Sequence, residues 1–305
     1  MAAGPVLGEA VAAYLVTLDH PESAGTRRVY AGTLRALNTT FGAKTPLTAL
    51  AEPAGVSKLT EWFDQSWGQK AAATYNRNLD ALRSAFGYWA GQDWIQADPT
   101  RALRRRGRAP DRSKALPHQL IDQLLIREDI ALRERLLWRM LYETAACAAE
   151  ILALDIEDLD RRNHSSKVRR KGGAIDVIIW QTGTARLLPR LIGTRTTGPL
   201  FLTTRAARVP LPPADLDPST GQARLSYRRA AELFEQTTTR MPGGPWTLHQ
   251  LRHSALTHAA EDGASTAILL AYAGHTSVTS LARYTRLSPE ALSHWQQTRD
   301  PARRR

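Results

Sequence analysis

Apolar residues recur at helical spacing through most of the first hundred positions. GEAVAAYLVTLDH, close to the N-terminus, reads as one amphipathic helix. Thr26 is placed to cap a second, TRRVYAGTLRALNTTF, in which Tyr30, Leu34 and Leu37 share a stripe. A loop around Lys44-Thr45-Pro46 leads to a third helix through VSKLTEWFDQSW. The fourth segment, AAATYNRNLDALRSAFGYWAGQ, is the most regular. Leu79, Leu82, Phe86 and Trp89 form its buried face, and Lys70, Thr74, Asn76, Arg77 and Arg83 its polar one. Asp98-Pro99 then breaks the helix. Residues 1–100 therefore predict a four-helix bundle with one polar, basic face.

Positions 101–114, RALRRRGRAPDRSK, hold seven basic residues interrupted by Gly107 and Pro110. Blocks of like charge rarely pack, so the stretch reads as an exposed linker and domain boundary. Arg104, Arg105 and Arg106 are its candidate phosphate contacts, a strap of sequence-independent, salt-sensitive affinity. The remainder, 115–305, opens with two strongly helical segments, ALPHQLIDQLL and RERLLWRMLYETAACAAEILAL. In SSKVRRKGGAIDVIIW, Val168 and the run Val177 to Trp180 have strand character. Gly172-Gly173 suits a tight hairpin with Lys171 at its tip. Helices through TGTARLLPRLI and SYRRAAELFEQTTTR flank an irregular Pro-rich loop, VPLPPADLDPSTGQ. A short amphipathic helix, SPEALSHWQQTRD, and a basic tail, PARRR, close the chain. The predicted class is mainly α with a small β-hairpin sheet.

Charge sharpens the picture. Lys and Arg number 41 against 29 Asp and Glu, a formal charge of +12. That imbalance calls for a polyanionic partner, nucleic acid first and an acidic membrane surface second. No apolar run reaches the roughly 18 to 20 residues that span a bilayer. The opening residues lack a basic n-region and carry Glu9, unlike a secretory signal. With a single cysteine, Cys147, there is no intrachain disulfide framework and no cysteine-based zinc site. A soluble, cytoplasmic protein without membrane contact is expected.

The chemistry concentrates in residues 247–286, TLHQLRHSALTHAAEDGASTAILLAYAGHTSVTSLARYTR. Thr247 and Gln250 form a T-x-x-Q capping box, which starts a helix there. His249 and Arg252 are one turn apart on it, near the positive end of the helix dipole, a favourable place for a phosphate. Gly274-His275 follows, and Tyr284 lies nine residues beyond His275. Two imidazoles, a guanidinium and a phenol suit attack of a tyrosine on a phosphodiester. A zinc reading of His249 and His253 lacks the glutamate base, since position 250 is Gln, and lacks a third ligand. His253 and His258 read as packing or solvent residues, and no metal or other cofactor is expected.

H-x-x-R, then Gly-His, then Tyr resembles the tyrosine recombinase, or phage integrase, family, and the resemblance extends over about residues 7–295. It implies a helical core-binding domain and a catalytic domain that close around double-stranded DNA, working as a tetramer on two duplexes. It also implies that the helix at 288–298 reaches a neighbouring subunit. Tyr284 would be the nucleophile, leaving a 3′-phosphotyrosyl link and a free 5′-hydroxyl. His249, Arg252 and His275 would serve the proton and the phosphate charge, and Lys171 would protonate the leaving oxygen. Arg77, Arg169 and Arg170 would contact DNA. The target sequence and any accessory proteins stay open.

One position departs from the family pattern. TAACAAEILAL stands where the family reads T-G-x-R-x-x-E-[IL]-x-x-L. Thr144, Glu150, Ile151 and Leu154 match, Ala145 replaces the glycine, and Cys147 replaces the arginine. Glu150 is by resemblance a structural acid. The lost arginine is one of two that clamp the phosphate, and loss of a comparable clamp costs about 10³ to 10⁵ in rate. Slow cleavage is the expectation. Cys147 fits a recombinase disabled at one residue, a member that binds DNA and no longer cuts, or a site in which Arg169 or Arg170 takes over. A non-catalytic occupant of recombination sites and a type IB topoisomerase are the alternative functions.

Overall fold

Four helices build the N-terminal part: α1 (Leu7–Thr17), α2 (Ala24–Phe41), α3 (Pro53–Trp67) and α4 (Ala72–Gly91). The computed structural model describes residues 4–20, 23–107, 115–170, 173–274, 278–281 and 293. The chain divides into two compact units, residues 1–110 and 111–305. Two of the first four helices start earlier than the periodicity predicts. Ser23, not Thr26, occupies the cap position of α2. Helix α3 begins at Pro53, where the missing N–H is no loss and the fixed φ suits a first turn. Leu79, Leu82, Phe86 and Trp89 are buried as expected, against Leu7, Tyr14, Leu34, Leu59 and Phe63. The Trp89 indole donates to the Ala10 carbonyl (2.9 Å), tying α4 to α1.

The polar face of α4 and the basic stretch after it correct the sequence reading. Asn76 is buried rather than displayed, and its side-chain amide pairs with the Arg106 backbone in both directions (2.8 and 2.9 Å). Arg83 donates to the Leu103 carbonyl (2.8 Å), and Leu103 itself joins the core. Arg105 pairs with Asp80. The Arg106 guanidinium sits 3.9 Å from the centroid of the Tyr75 ring and donates to the Gly68 carbonyl. Leu103 and Arg106 are thus anchored to the helical unit, while Arg101, Arg104 and Arg105 stay exposed as the linker reading expects. Residues 108–114 lie outside the described residues. Amphipathic arginine stems cover apolar surface well, which a count of charges does not reveal.

The second unit contains α5 (His118–Ile126), α6 (Leu132–Thr144), α7 (Ala148–Leu152), β1 (Leu159–Asp160), β2 (Ser165–Arg169), β3 (Ile175–Ile179), α8 (Thr182–Ile192), β4 (Leu202–Ala206), β5 (Gln222–Arg224), α9 (Tyr227–Thr238), α10 (Leu248–Glu261) and α11 (Thr266–Ala273). Strands β1, β2 and β3 form an antiparallel sheet in that order, with Arg169 opposite Ile175 at the hairpin end. Strands β4 and β5 pair separately, Leu202 opposite Arg224. Neither β1 nor this second pair was expected, because their short, polar sequences carry no alternation. The main core gathers Leu136, Trp138, Leu141, Trp180, Phe201, Phe234 and Trp246 around α6. A smaller cluster of Ala145, Ala255, Leu256, Ala260, Leu269, Ala273 and Leu281 packs α11 on α10 and on the end of α6. The terminal helix expected at 288–298, apart from residue 293, and the tail at 301–305 lie outside the described residues.

Where periodicity predicts one helix through RERLLWRMLYETAACAAEILAL, the chain forms two. Ala145 stands in the left-handed region, φ 49° and ψ 16°, and ends α6. Cys147 then caps α7 from an extended conformation, φ −75° and ψ 153°. A left-handed alanine costs about 1–2 kcal/mol, yet the Ala145 methyl is wholly buried in the smaller cluster. Relief of strain and loss of the methyl (about 0.8 kcal/mol) then nearly cancel, so Ala145→Gly should move the urea unfolding free energy by no more than about 1 kcal/mol. Ala145→Val adds both a forbidden backbone and excess volume, and should cost about 3 kcal/mol or more. A stable Ala145→Val protein would show the turn to be wrong.

Candidate functional site

Helix α10 starts as its capping pattern predicts: the Thr247 N–H donates to Gln250 Oε1 at 2.8 Å. His249 lies exposed in the first turn, and Arg252 one turn later is 8% exposed. Burial of a guanidinium demands partners. Arg252 Nη1 donates to the Ala145 carbonyl, and Nη2 to the Ala273 carbonyl at 2.6 Å. These carbonyls belong to the C-terminal ends of α6 and α11, where unsatisfied C=O groups and the negative end of the dipole favour a cation. One side chain thus joins three helices. The Tyr272 hydroxyl reinforces the junction, 2.9 and 3.1 Å from the carbonyls of Glu143 and Tyr142. Burial pushes its phenol well above the usual range.

Cys147 and Glu150 meet at the start of α7. The Cys147 N–H donates to Glu150 Oε2 at 2.9 Å. The thiol is half-buried, and burial followed by the Glu150 charge raises its pKa. It stays a neutral thiol near neutral pH, neither a nucleophile nor a phosphate clamp. The same Glu150 Oε2 accepts a second bond, from Arg170 Nη1 at 2.6 Å. Arg170 Nε pairs with Asp176 at 3.2 Å. Arg169 and Arg170, one residue apart, fall on opposite faces of the hairpin: Arg169 is exposed and Arg170 is 8% exposed. The backbone of Arg170 closes the hairpin, its N–H to the Ala174 carbonyl (2.8 Å) and its carbonyl accepting from Gly173 (3.1 Å).

Gly274 ends α11 in the left-handed region, φ 60°. A side chain there would stand 2.2 Å from Arg170 Nε and 2.3 Å from its Cζ. The Arg170 guanidinium therefore lies directly against Gly274, beside the Ala273 carbonyl that accepts Arg252. Arg170, Arg252, Cys147 and Glu150 are brought together, with exposed His249 on the same helix as Arg252. Lys171, His275 and Tyr284 lie outside the described residues. They follow directly on Arg170, on Gly274 and, three positions on, on the buried Leu281.

Several supporting groups carried no signal in the sequence. Buried Glu143 accepts the N–H groups of Gln181 (3.0 Å) and Thr184 (3.3 Å), capping the start of α8. Arg224 pairs with Asp155 and Asp215 and reaches the carbonyls of Leu152 and Leu154 at the end of α7. Ser254 accepts the Leu116 N–H (2.8 Å) and fastens the entry segment to α10. Each depends on residues far apart in the chain.

His253 and His258 are both buried, as packing residues. His258 Nε2 lies 2.9 Å from the Leu116 carbonyl, which only accepts, so the proton sits on Nε2. Nδ1 then accepts from the Tyr142 hydroxyl at 2.7 Å. His118 stacks on the His258 ring at 3.5 Å, and with Glu261 the three could bring ligand atoms within 4.8 Å of one another. That grouping was not anticipated, but a metal would have to displace one of the two hydrogen bonds of His258. Burial first, then the His118 charge, lowers the His258 pKa to about 4, against an ordinary value of about 6.5. Below that ordinary value the unfolded chain takes up a proton that the folded one refuses. This group's contribution should thus fall away as pH drops from about 6.5 to about 4. Urea unfolding across this range should show His258→Gln with a flatter pH dependence than the unaltered protein. Parallel slopes would contradict it.

A helical unit followed by a mainly α unit with a small sheet is the fold of DNA integrases of known structure. The Tn1549 transposon integrase (residues 82–397) in complex with circular intermediate DNA aligns with a TM-score of 0.66 and 14% identity, over 96% of this chain and 99% of that one. Lambda integrase (residues 75–356) bound to DNA aligns with a TM-score of 0.66 and 16% identity, over 92% and 95%. Residues 114–291 match the phage integrase family, and the chain belongs to it. Tyrosine recombinase XerC of Mycobacterium leprae is 31% identical over 284 residues, 88% of this chain and 90% of that protein. XerC of Mycobacterium sp. (strain KMS) is 30% identical over 295 residues, 91% and 93%. Among the described residues no helix is long and apolar enough to cross a membrane.

Proposed function

We propose that this chain is a site-specific DNA recombinase that cleaves and rejoins double-stranded DNA through a 3′-phosphotyrosyl intermediate. The observation that carries the reading is Arg252, a buried guanidinium fixed by two helix ends one turn from exposed His249. Its family membership supplies the reaction. The Tyr284 oxygen attacks the scissile phosphorus as a histidine, His249 or His275, takes the phenolic proton. The bond to the 5′-oxygen breaks as Lys171 protonates it. Arg252 and the histidines offset the charge that grows on the non-bridging oxygens. The phosphodiester energy is kept in the covalent link, so religation needs no cofactor.

Residues 1–100 would serve as the core-binding domain and 115–305 as the catalytic domain, with 101–114 between them. Exposed Arg77, Arg104 and Arg169 are the better placed phosphate contacts, whereas Arg105 and Arg106 are engaged within the first unit. The net charge of +12 supports DNA as the partner. Assembly is proposed to be tetrameric on two duplexes, and the protein to act in the cytoplasm.

Duplexes selected by binding from a random library, nicked beside the bound site, supply the test. Denaturing gels should show a protein–DNA adduct with the unaltered protein and none with Tyr284→Phe, whose binding should be unchanged. Binding without adduct from any form of the protein would leave a DNA-binding protein that does not cut. Relaxation of supercoiled plasmid without site preference would point to a topoisomerase instead.

A further inference from the structure

We propose that Arg170 supplies the phosphate-clamping guanidinium that position 147 lacks, so that the site keeps two arginines although one comes from a different element. The inference rests on the recombinase reading above. Its basis is geometric. Glu150 Oε2 is the shared acceptor of the Cys147 N–H (2.9 Å) and of Arg170 Nη1 (2.6 Å), so the guanidinium is one carboxylate oxygen away from the backbone of residue 147. Its other face lies on Gly274, where even one added carbon would collide with it. The neighbouring Ala273 carbonyl holds Arg252. The two guanidiniums therefore flank a single peptide unit at the end of α11, immediately before His275.

Chemistry agrees with the placement. Arg170 reaches the spot from the end of β2, and the carboxylate that orients it is the acid of the Thr144–Leu154 pattern. Nη1 and Nε are taken up by Glu150 and Asp176. Nη2 makes no hydrogen bond to a described residue and stands on the Gly274 side, 2.7 Å from where a side chain would begin. A permanently charged, planar group with Nη2 left over from these pairings can bond a non-bridging phosphate oxygen as a lysine could not. Cys147 leaves room for it: a thiol is short and, being neutral here, sets no negative charge against the phosphate. On this account the loss at 147 is compensated rather than disabling.

Rates of adduct formation on the nicked duplexes, measured in single turnover with DNA binding and thermal midpoints alongside, test the assignment. Arg170→Ala should slow the reaction by about 10²-fold or more, with binding changed only a few-fold. Arg170→Lys keeps a charge beside Glu150 and hence the fold, yet should lose most of the rate. Cys147→Arg alone should change the rate by less than about tenfold, and Cys147→Arg combined with Arg170→Ala should recover most of the loss. Rescue separates the two roles, because a purely structural partner of Glu150 would not be replaced from position 147. The proposal falls if Arg170→Lys reacts at the unaltered rate, or if Cys147→Arg alone accelerates about 10³-fold. It also falls if the double variant stays slow while Cys147→Arg is active. Absence of adduct from every protein, Cys147→Arg included, with binding intact, rejects the recombinase reading itself and this one with it.

Discussion

The arrangement depends on one buried cation held by helix ends. Arg252 places its charge where α6 and α11 both terminate, and each helix offers a carbonyl that has no partner within its own turn. The interaction is reciprocal. The helices orient the guanidinium, and the guanidinium makes it acceptable for two C-termini to be buried at one point. A neutral or shorter side chain would leave those carbonyls without their donor, at a cost of about 1–3 kcal/mol each. The left-handed turn at Ala145 exists in the same context, since it is the residue whose carbonyl must point at Arg252. Position and chemistry cannot be separated here, because the group proposed to bind phosphate is also the bolt that assembles its own surroundings.

Arg170 and Glu150 add a second charge pair with a different character. Both are mostly buried, and taking two ions out of water is repaid only when the bonds are short and the remaining atoms are satisfied. Glu150 Oε2 accepts both a guanidinium N–H and a backbone N–H. The hairpin is thereby attached to α7 near its turn, and the exposed Arg169 stands on a strand whose end is anchored. Asp176, more exposed, completes the fork around Arg170. The arrangement ties the sheet to the helices at the point where the two proposed phosphate ligands meet.

Much of this was legible in the residues themselves. Helical periodicity gave the elements of the N-terminal unit, the T-x-x-Q pattern gave the start of α10, and the Gly-rich turn gave the β2–β3 hairpin. What failed has physical causes. Ala145 carries no propensity for a left-handed turn, so the break between α6 and α7 is imposed by tertiary contacts. That Arg106 packs on Tyr75 within the otherwise exposed stretch 101–107 was hidden because charge masks the apolar length of an arginine stem. Strands β4 and β5 are too short and polar to alternate. Arg170 could be named as a possible substitute, but choosing it over Arg169 required the strand register, which decides the face each one occupies.

The smaller apolar cluster has a consequence for how the protein opens. Ala145, Ala255, Ala260 and Ala273 contribute one methyl group each, with Leu256, Leu269 and Leu281 as the larger members. This cluster has fewer members than the tryptophan- and phenylalanine-rich core around α6, and directional bonds involving Arg252 and Tyr272 add to the attachment of α11. Directional bonds are lost abruptly when their geometry fails, whereas broad apolar burial is lost gradually. Amide hydrogens of α11 would therefore exchange through a separate, lower-energy opening than those of α6, without the larger core coming apart. The fold in this way keeps a stable body and a more readily detached flap, divided along a line of alanines.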